Sequence, residues 1–230
     1  MMASDDREIL KVICYNMHGF YQGYPLLEEL VRSDQPDVML LQEHWLTPAN
    51  MHKFDSYFLD YFSFGCSAMA KTVETGMLRG RPFGGVITLI NNALRTKTKT
   101  IHCTDRYVVT RVANYLFVNV YLRCIGTPDR ILICDEILGE VSEWCRYYSD
   151  CEVVMAGDFN VSLDSCDVVA KRISDFALDC AMCCVMTFFP TKKLPPILTY
   201  LCNSRVTSIT ALPLVPVSYT HLTLPTILRV

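Results

Sequence analysis

ILKVICYNMHGFYQGYPLLEELVRSDQPDVMLLQEHW, residues 9–45, holds two apolar runs separated by an amphipathic stretch. Residues 9–15 are rich in β-branched side chains and read as a buried strand. Pro25 reads as the opening residue of a helix to Arg32, because proline suits a first helical turn and Leu26, Leu27, Leu30 and Val31 share a face. Pro36-Asp37 closes the connection, and Val38–Gln42 is a second buried strand. A strand, a helix and a strand in that order make parallel sheet.

Further on, residues 57–64 alternate aromatics and read as a strand, and residues 76–84, with Gly76, Gly80, Pro82 and Gly84, as a loop. Strands are expected at 85–91, 96–103, Tyr107–Val112 and 115–123. Residues 129–147 place Ile131, Leu132, Ile137, Leu138, Val141 and Trp144 at helical spacing, 152–156 is another strand, and 164–182 is partly helical. Buried strands with helices at both ends of the chain, and consecutive strands between, imply an α/β fold of two packed sheets with helices on the outer faces.

A chain of 230 residues, 51% hydrophobic, suits one large domain with a sizeable core. The net charge of −3 does not announce a nucleic-acid binder. Between Tyr61 and Arg111, however, eight Lys or Arg face Glu74 and Asp105 alone, so a basic face there could meet phosphates. Charge by itself favours an ordinary solvated surface. The 12 cysteines are scattered, several within apolar runs, and read as reduced thiols. Cys180, Cys183 and Cys184 could form half a zinc site, but no second pair follows at usable spacing. Without a signal peptide or an apolar run of ~18 residues, the chain is expected to be intracellular, nuclear or cytoplasmic, neither secreted nor transmembrane.

Four strand ends carry the chemistry: YNMHG at 15–19, LQEHW at 41–45, NVYLR at 119–123 and GDFN at 157–160. A carboxylate and carboxamides converging at strand ends would suit a hard cation such as magnesium. Singly, each has a plainer reading. Glu43 could be solvated, Asn16 a turn residue, Tyr121 a core side chain with its hydroxyl at the rim, and Asp158 a helix cap.

In this order the four segments resemble the endonuclease/exonuclease/phosphatase superfamily. LLQEHWL and MAGDFN are most similar to the endonuclease domain at the start of non-LTR (LINE-type) retrotransposon polyproteins. The resemblance covers residues 9–209 and implies a DNase I-like four-layer α/β sandwich of two mixed sheets flanked by helices. It further implies Mg2+ (Mn2+ as a substitute) on Glu43 with Asn16 beside it, and Asp158 orienting or deprotonating the attacking water. Asn160 would hold a phosphate oxygen and place Asp158, and Tyr121 would contact the phosphate or the leaving oxygen. Arg123, Arg79, Arg81, Lys97 and Lys99 are the expected substrate-binding cations. The implied partner is DNA, with a fused reverse transcriptase in a full-length parent and no membrane.

The sequence also departs from that pattern. His18 stands where some relatives carry Asp or Asn, and His44 falls at a variable position. After Thr199-Tyr200, relatives reach Ser/Thr-x-Ile-Asp, but here Thr207-Ser208-Ile209-Thr210 puts Thr210 in the Asp position. No Ser-Asp-His triplet follows, and His221 lacks an adjoining Asp. Residues 210–230, with three prolines and no acidic residue, resemble translated adapter sequence and read as a non-family tail, artefactual or disordered. Losing the segment that relatives carry would leave a sheet edge open. Three functions compete on these grounds: a DNA-nicking endonuclease impaired by the missing Asp and His, a remnant that binds nucleic acid, and a phosphatase or phosphodiesterase acting on a phosphoinositide, sphingomyelin or poly(A).

Overall fold

The computed structural model describes residues 10–76, 80–186, 199–202 and 226–229, for the last three strands as backbone only. β1 (Lys11–Asn16), α1 (Phe20–Asp34) and β2 (Val38–Gln42) form the strand–helix–strand unit, with the strands parallel and Asn16 opposite Gln42. Pro25 lies inside α1 rather than at its start. Packing sets the earlier start, because Phe20, Gly23, Leu27 and Leu30 are the buried residues of the helix. An interior proline costs about 3 kcal/mol, and burying Phe20 offsets about 2–3 kcal/mol of it.

The chain continues through α2 (Lys53–Tyr57), β3 (Tyr61–Cys66), α3 (Ala70–Glu74), β4 (Val86–Asn91) and β5 (Thr98–Cys103). β6 (Tyr107–Val112), β7 (Tyr115–Tyr121), α4 (Arg130–Tyr147), β8 (Glu152–Asp158) and α5 (Val168–Asp179) follow. Last come β9 (Cys183–Met186), β10 (Thr199–Cys202) and β11 (Thr226–Arg229). Tyr57 thus ends a helix instead of opening a strand, and residues 96 and 97 belong to the 3-10 turn Asn92–Lys97.

Two mixed sheets result, ordered β11-β1-β2-β4-β3 and β5-β6-β7-β8-β10-β9. β1–β2 and β7–β8 are the parallel pairs, each joined by a helical crossover. Thr226–Arg229, inside the segment read as foreign to the domain, pairs antiparallel with β1, so the edge expected to be open carries a strand. Residues 203–225, including Thr207–Thr210 and His221, lie outside the described residues. Among the described residues no helix is long and apolar enough to cross a membrane.

Strand alternation assigns the side chains to layers. Ile13, Tyr15, Met39 and Leu41 point outward onto Phe20, Leu27 and Leu30 of α1 and Phe54 of α2. Leu116, Val118, Val153 and Met155 point outward onto Ile137 and Val141 of α4 and Ile173 of α5. Val12, Cys14, Leu40, Phe117, Val154 and Ala156 fill the space between the sheets. This is the expected four-layer sandwich. Every cysteine whose side chain is described is a free thiol, and the Cys66 and Cys103 sulfurs lie 2.9 Å apart where β3 and β5 end.

The layer between the sheets changes character along the strands. At one end it is apolar. It then crosses a fully buried polar belt of Gln42, Thr88 and Asn119. Gln42 Nε2 donates to Asn119 Oδ1 at 2.6 Å, and Asn119 Nδ2 to the Ile87 carbonyl at 3.0 Å. The period of two then brings Asn16, Tyr121 and Asp158, the next inward residues of β1, β7 and β8, to the rim.

Candidate active site

Two backbone zippers build the rim. Beyond the paired strands, Met17 N donates to Gln42 O at 2.8 Å, Gly19 N to Glu43 O at 2.7 Å and Phe20 N to His44 O at 2.9 Å. On the other side, Glu43 N donates to Gly85 O at 2.9 Å and Trp45 N to Gly84 O at 3.0 Å. Glu43 and Trp45 are thereby held at φ 53, and His18 at φ 48. Left-handed conformations at non-glycine residues cost about 1–3 kcal/mol each and persist where surrounding bonds over-determine them. Across the gap, β7 and β8 bring Tyr121 opposite Asp158. Gly157 permits this approach, because a Cβ there would sit 1.9 Å from the Val120 carbonyl oxygen.

Asn16 joins the two halves. Its Nδ2 donates to Glu43 Oε1 and to Asp158 Oδ2, each at 2.7 Å, while its Oδ1 accepts from His18 N at 3.0 Å. Asp158 Oδ1 accepts from Asn160 N at 3.0 Å, and Asn160 Nδ2 donates to Leu122 O at 2.8 Å. Burial raises the Asp158 pKa; the hydrogen bonds from Asn16 and Asn160 oppose that rise, and the Glu43 charge adds to it. Tyr121 is raised far above its usual range by burial, with the charges of Glu43, Cys124 and Asp158 adding.

All five residues expected to carry catalysis, Asn16, Glu43, Tyr121, Asp158 and Asn160, therefore meet at one rim. The expected cations are divided. Lys99 pairs in register with Arg111, which pairs with Leu116, five residues before Tyr121 along β7. At ~3.4 Å per residue that is about 17 Å from the rim. Lys97, two residues earlier, accepts a backbone bond from Ala113 N at the β6–β7 turn. Arg123 Nη1 is turned onto the Pro128 carbonyl at 2.9 Å, holding the loop after β7. Arg81 is exposed in the segment leading to Gly84 and Gly85, at the rim end, and Arg79 lies outside the described residues. His44 is no ligand: it is fully buried, with Nδ1 accepting from Leu46 N at 3.0 Å and Nε2 facing the Cys66 carbonyl at 3.1 Å.

Several neighbours had no assigned role in the sequence reading. Trp45 Nε1 donates to Glu43 Oε2 at 3.1 Å. The Arg106 guanidinium lies 5.3 Å from the centre of the Tyr121 ring and pairs with Asp105 at 3.3 Å. Cys124 Sγ donates to Asn160 Oδ1 at 3.3 Å. Gln42 and Asn119 were legible as polar residues at buried strand positions. Arg106 was legible as the residue just before β6, the strand antiparallel to β7, and so sits where β7 ends.

Glu43 and Asp158 share one amide donor, and among the described residues neither forms a salt bridge. The charges of both also raise the Cys124 thiol pKa, after burial. This surplus of negative charge fits a divalent cation. The donor set is spare: among the described residues no three His, Cys, Asp or Glu converge, and magnesium can bind on few carboxylates while keeping several waters. Asn16 turns its nitrogen to both carboxylates and its oxygen to His18 N, so its amide ties Glu43 and Asp158 together across the rim.

A family model described as Endonuclease/Exonuclease/phosphatase family matches residues 13–194. No match was found among curated proteins. Among solved structures, the AP endonuclease LMAP from Leishmania major aligns with TM-score 0.63 and 14% identity over 89% of this chain and 83% of its own. The human Nocturnin catalytic domain, with a bound sulfate anion, aligns with TM-score 0.63 and 13% identity over 96% and 92%. The endonuclease domain of TRAS1, a telomere-specific non-LTR retrotransposon, aligns with TM-score 0.60 and 12% identity over 86% and 87%. At these identities the likeness is one of fold.

Proposed function

The chain belongs to the endonuclease/exonuclease/phosphatase family, and from that premise we propose that it is a magnesium-dependent phosphodiester hydrolase that nicks DNA, of the kind carried by non-LTR retrotransposons. The observation that carries the reading is the Asn16 bridge, which sets Glu43 and Asp158 at 2.7 Å from one amide although they lie far apart in sequence. The retroelement-like wording of residues 40–46 and 155–160 and the shared fold of the TRAS1 domain support DNA as substrate.

In this reading Glu43 holds the cation, Asn16 fixes Glu43 and Asp158 relative to each other, and Asp158 accepts the proton of the attacking water. Asn160 aims Asp158 through its backbone N–H. The Tyr121 hydroxyl, kept protonated by burial, donates toward the phosphate or the leaving oxygen. Bound magnesium would neutralise charge building on the phosphate. Thr210 takes the family's Asp position and residues 211–230 hold no Ser-Asp-His; a chain without one phosphate-stabilising donor typically works about 100–1000-fold more slowly. Slow, magnesium-dependent nicking of supercoiled plasmid is therefore expected. It should vanish in Asp158→Asn and accelerate when a family-like segment is grafted after Ile209. Nicking that survives Asp158→Asn would refute the assignment.

A further inference from the structure

Trp45 forms one bond that no other part of the proposed chemistry uses. Its indole Nε1 donates to Glu43 Oε2 at 3.1 Å, while Asn16 Nδ2 donates to Oε1 at 2.7 Å. Each carboxylate oxygen therefore meets one N–H donor, one at the end of β1 and the other in the loop after β2. The indole is itself fixed. Trp45 N is tied to Gly84 O, and the His18 ring packs on the indole with centroids 4.6 Å apart. Gly19, at φ 100, makes room for it, since a Cβ there would come within 2.8 Å of Trp45 Cε3. A free glutamate carboxylate turns about its last bond; one held at both oxygens has already lost that freedom. Each oxygen keeps a lone pair beyond the one it shares with nitrogen.

We propose that Trp45 is a positioning residue for the Glu43 carboxylate, holding it in the orientation that receives a divalent cation. The inference rests on Glu43 being the magnesium ligand. Trp45 touches neither substrate nor reacting atoms in this role. It acts by preorganisation, which shows as metal affinity rather than as the rate at saturating metal.

Magnesium chloride alone is the probe. The chain has two tryptophans, so in a Trp144→Phe background Trp45 is the sole indole. Its emission should change saturably with magnesium, and Glu43→Gln should remove the change. In a second arm, Trp45→Phe keeps a ring over Gly19 but removes the N–H. The magnesium concentration that half-saturates the rise in melting temperature should increase about tenfold. The nicking rate at saturating magnesium should stay within about twofold of the parent on the same reasoning. Parent-like magnesium affinity in a folded Trp45→Phe protein would overturn the inference and leave Glu43 as ligand. A parent chain with no magnesium response in either readout would overturn the ligand assignment itself, and the inference with it.

Discussion

The two ends of the β5–β8 sheet share the same strands yet carry opposite chemistry. At the end where β7 and β8 finish, Tyr121, Asp158 and Asn160 face Asn16 and Glu43, and Arg106 is the cation alongside. At the end where those strands begin, Lys99 lies over the Tyr148 ring at 5.8 Å and Arg111 pairs with Asp150 at 3.2 Å. A basic run continuous in sequence is divided by antiparallel pairing into cations that can reach the rim and cations that cannot. Charge read along the chain and charge read across the fold are different quantities here, and only the second bears on a substrate at the rim.

Removing the rim's own chemistry should produce the largest effect. Asp158→Asn keeps the shape but only one of the two acceptor oxygens, so it retains the Asn16 or the Asn160 bond and not both, and it cannot take a proton. It should take the slow magnesium-dependent nicking below detection, a loss of about 100–10,000-fold being the usual worth of a positioned acid or base, with the melting temperature changed little, since the lost hydrogen bond and the removed buried charge oppose each other. Reversing Lys97 and Lys99 in parallel should leave nicking nearly intact. Comparable losses from both would erase the contrast between the ends.

The polar belt beneath the rim is the next place to press. Asn119→Ala would remove the 2.6 Å acceptor of Gln42 Nε2, leaving it the Leu40 carbonyl, and would take the side-chain donor from the Ile87 and Leu41 carbonyls, all in a fully buried layer. A loss of about 3–5 kcal/mol is expected from unpaired groups and the cavity together, read by urea unfolding. A loss below about 1 kcal/mol, on that same scale, would mean that water or repacking satisfies the belt.

Strand ends and their parity carried most of what could be read in advance. Asn16, Tyr121 and Asp158 are inward-facing because a period of two runs unbroken through KVICYN, YLFVNVY and EVVMAGD. The extended lysines were misplaced by treating a charge cluster as a surface. Counting strand directions would have sent Lys97 and Lys99 to one end and Arg106 to the other. The start of α1 was hidden for a different reason: local preference favours Pro25 at a helix opening, and only the burial of Phe20 against β1 and β2 overrides it. The role of Trp45 depends on a left-handed residue in a loop between strands, a conformation that no periodicity announces.

His44 supports the rim from within and sharpens the comparison through pH. Burial lowers its pKa from 6.5 to about 4. A depressed native pKa means that the unfolded chain takes up the proton first as pH falls. The stabilisation is thus complete above pH 6.5 and is lost progressively toward pH 4. The loss amounts to about 3 kcal/mol at most. His44→Gln should flatten the slope of stability against pH across that window, measured by denaturant unfolding at several pH values. An unchanged slope would assign acid sensitivity to other groups.

The smallest expected effect is also the most direct test of the two ends. Lys97 and Lys99 are exposed, and Lys99 lies about 17 Å of strand from Tyr121. At 0.1 M salt the Debye length is about 10 Å, so their charges are largely screened at the rim. The double reversal Lys97→Glu, Lys99→Glu should change affinity for a short DNA duplex by less than about twofold and leave its salt dependence as it was. Arg81→Glu and Arg106→Glu, at the rim end, should each reduce the slope of log affinity against log salt by about one, as expected when a cation that neutralises a phosphate is lost. The duplex must be short, because a long one could run down the molecule and meet both ends. If the double reversal flattens the slope on a duplex of about ten base pairs, roughly one helical turn or 34 Å, the DNA lies along β5 rather than across the rim. Glu43 and Asp158 would then face the end of the bound strand instead of its middle.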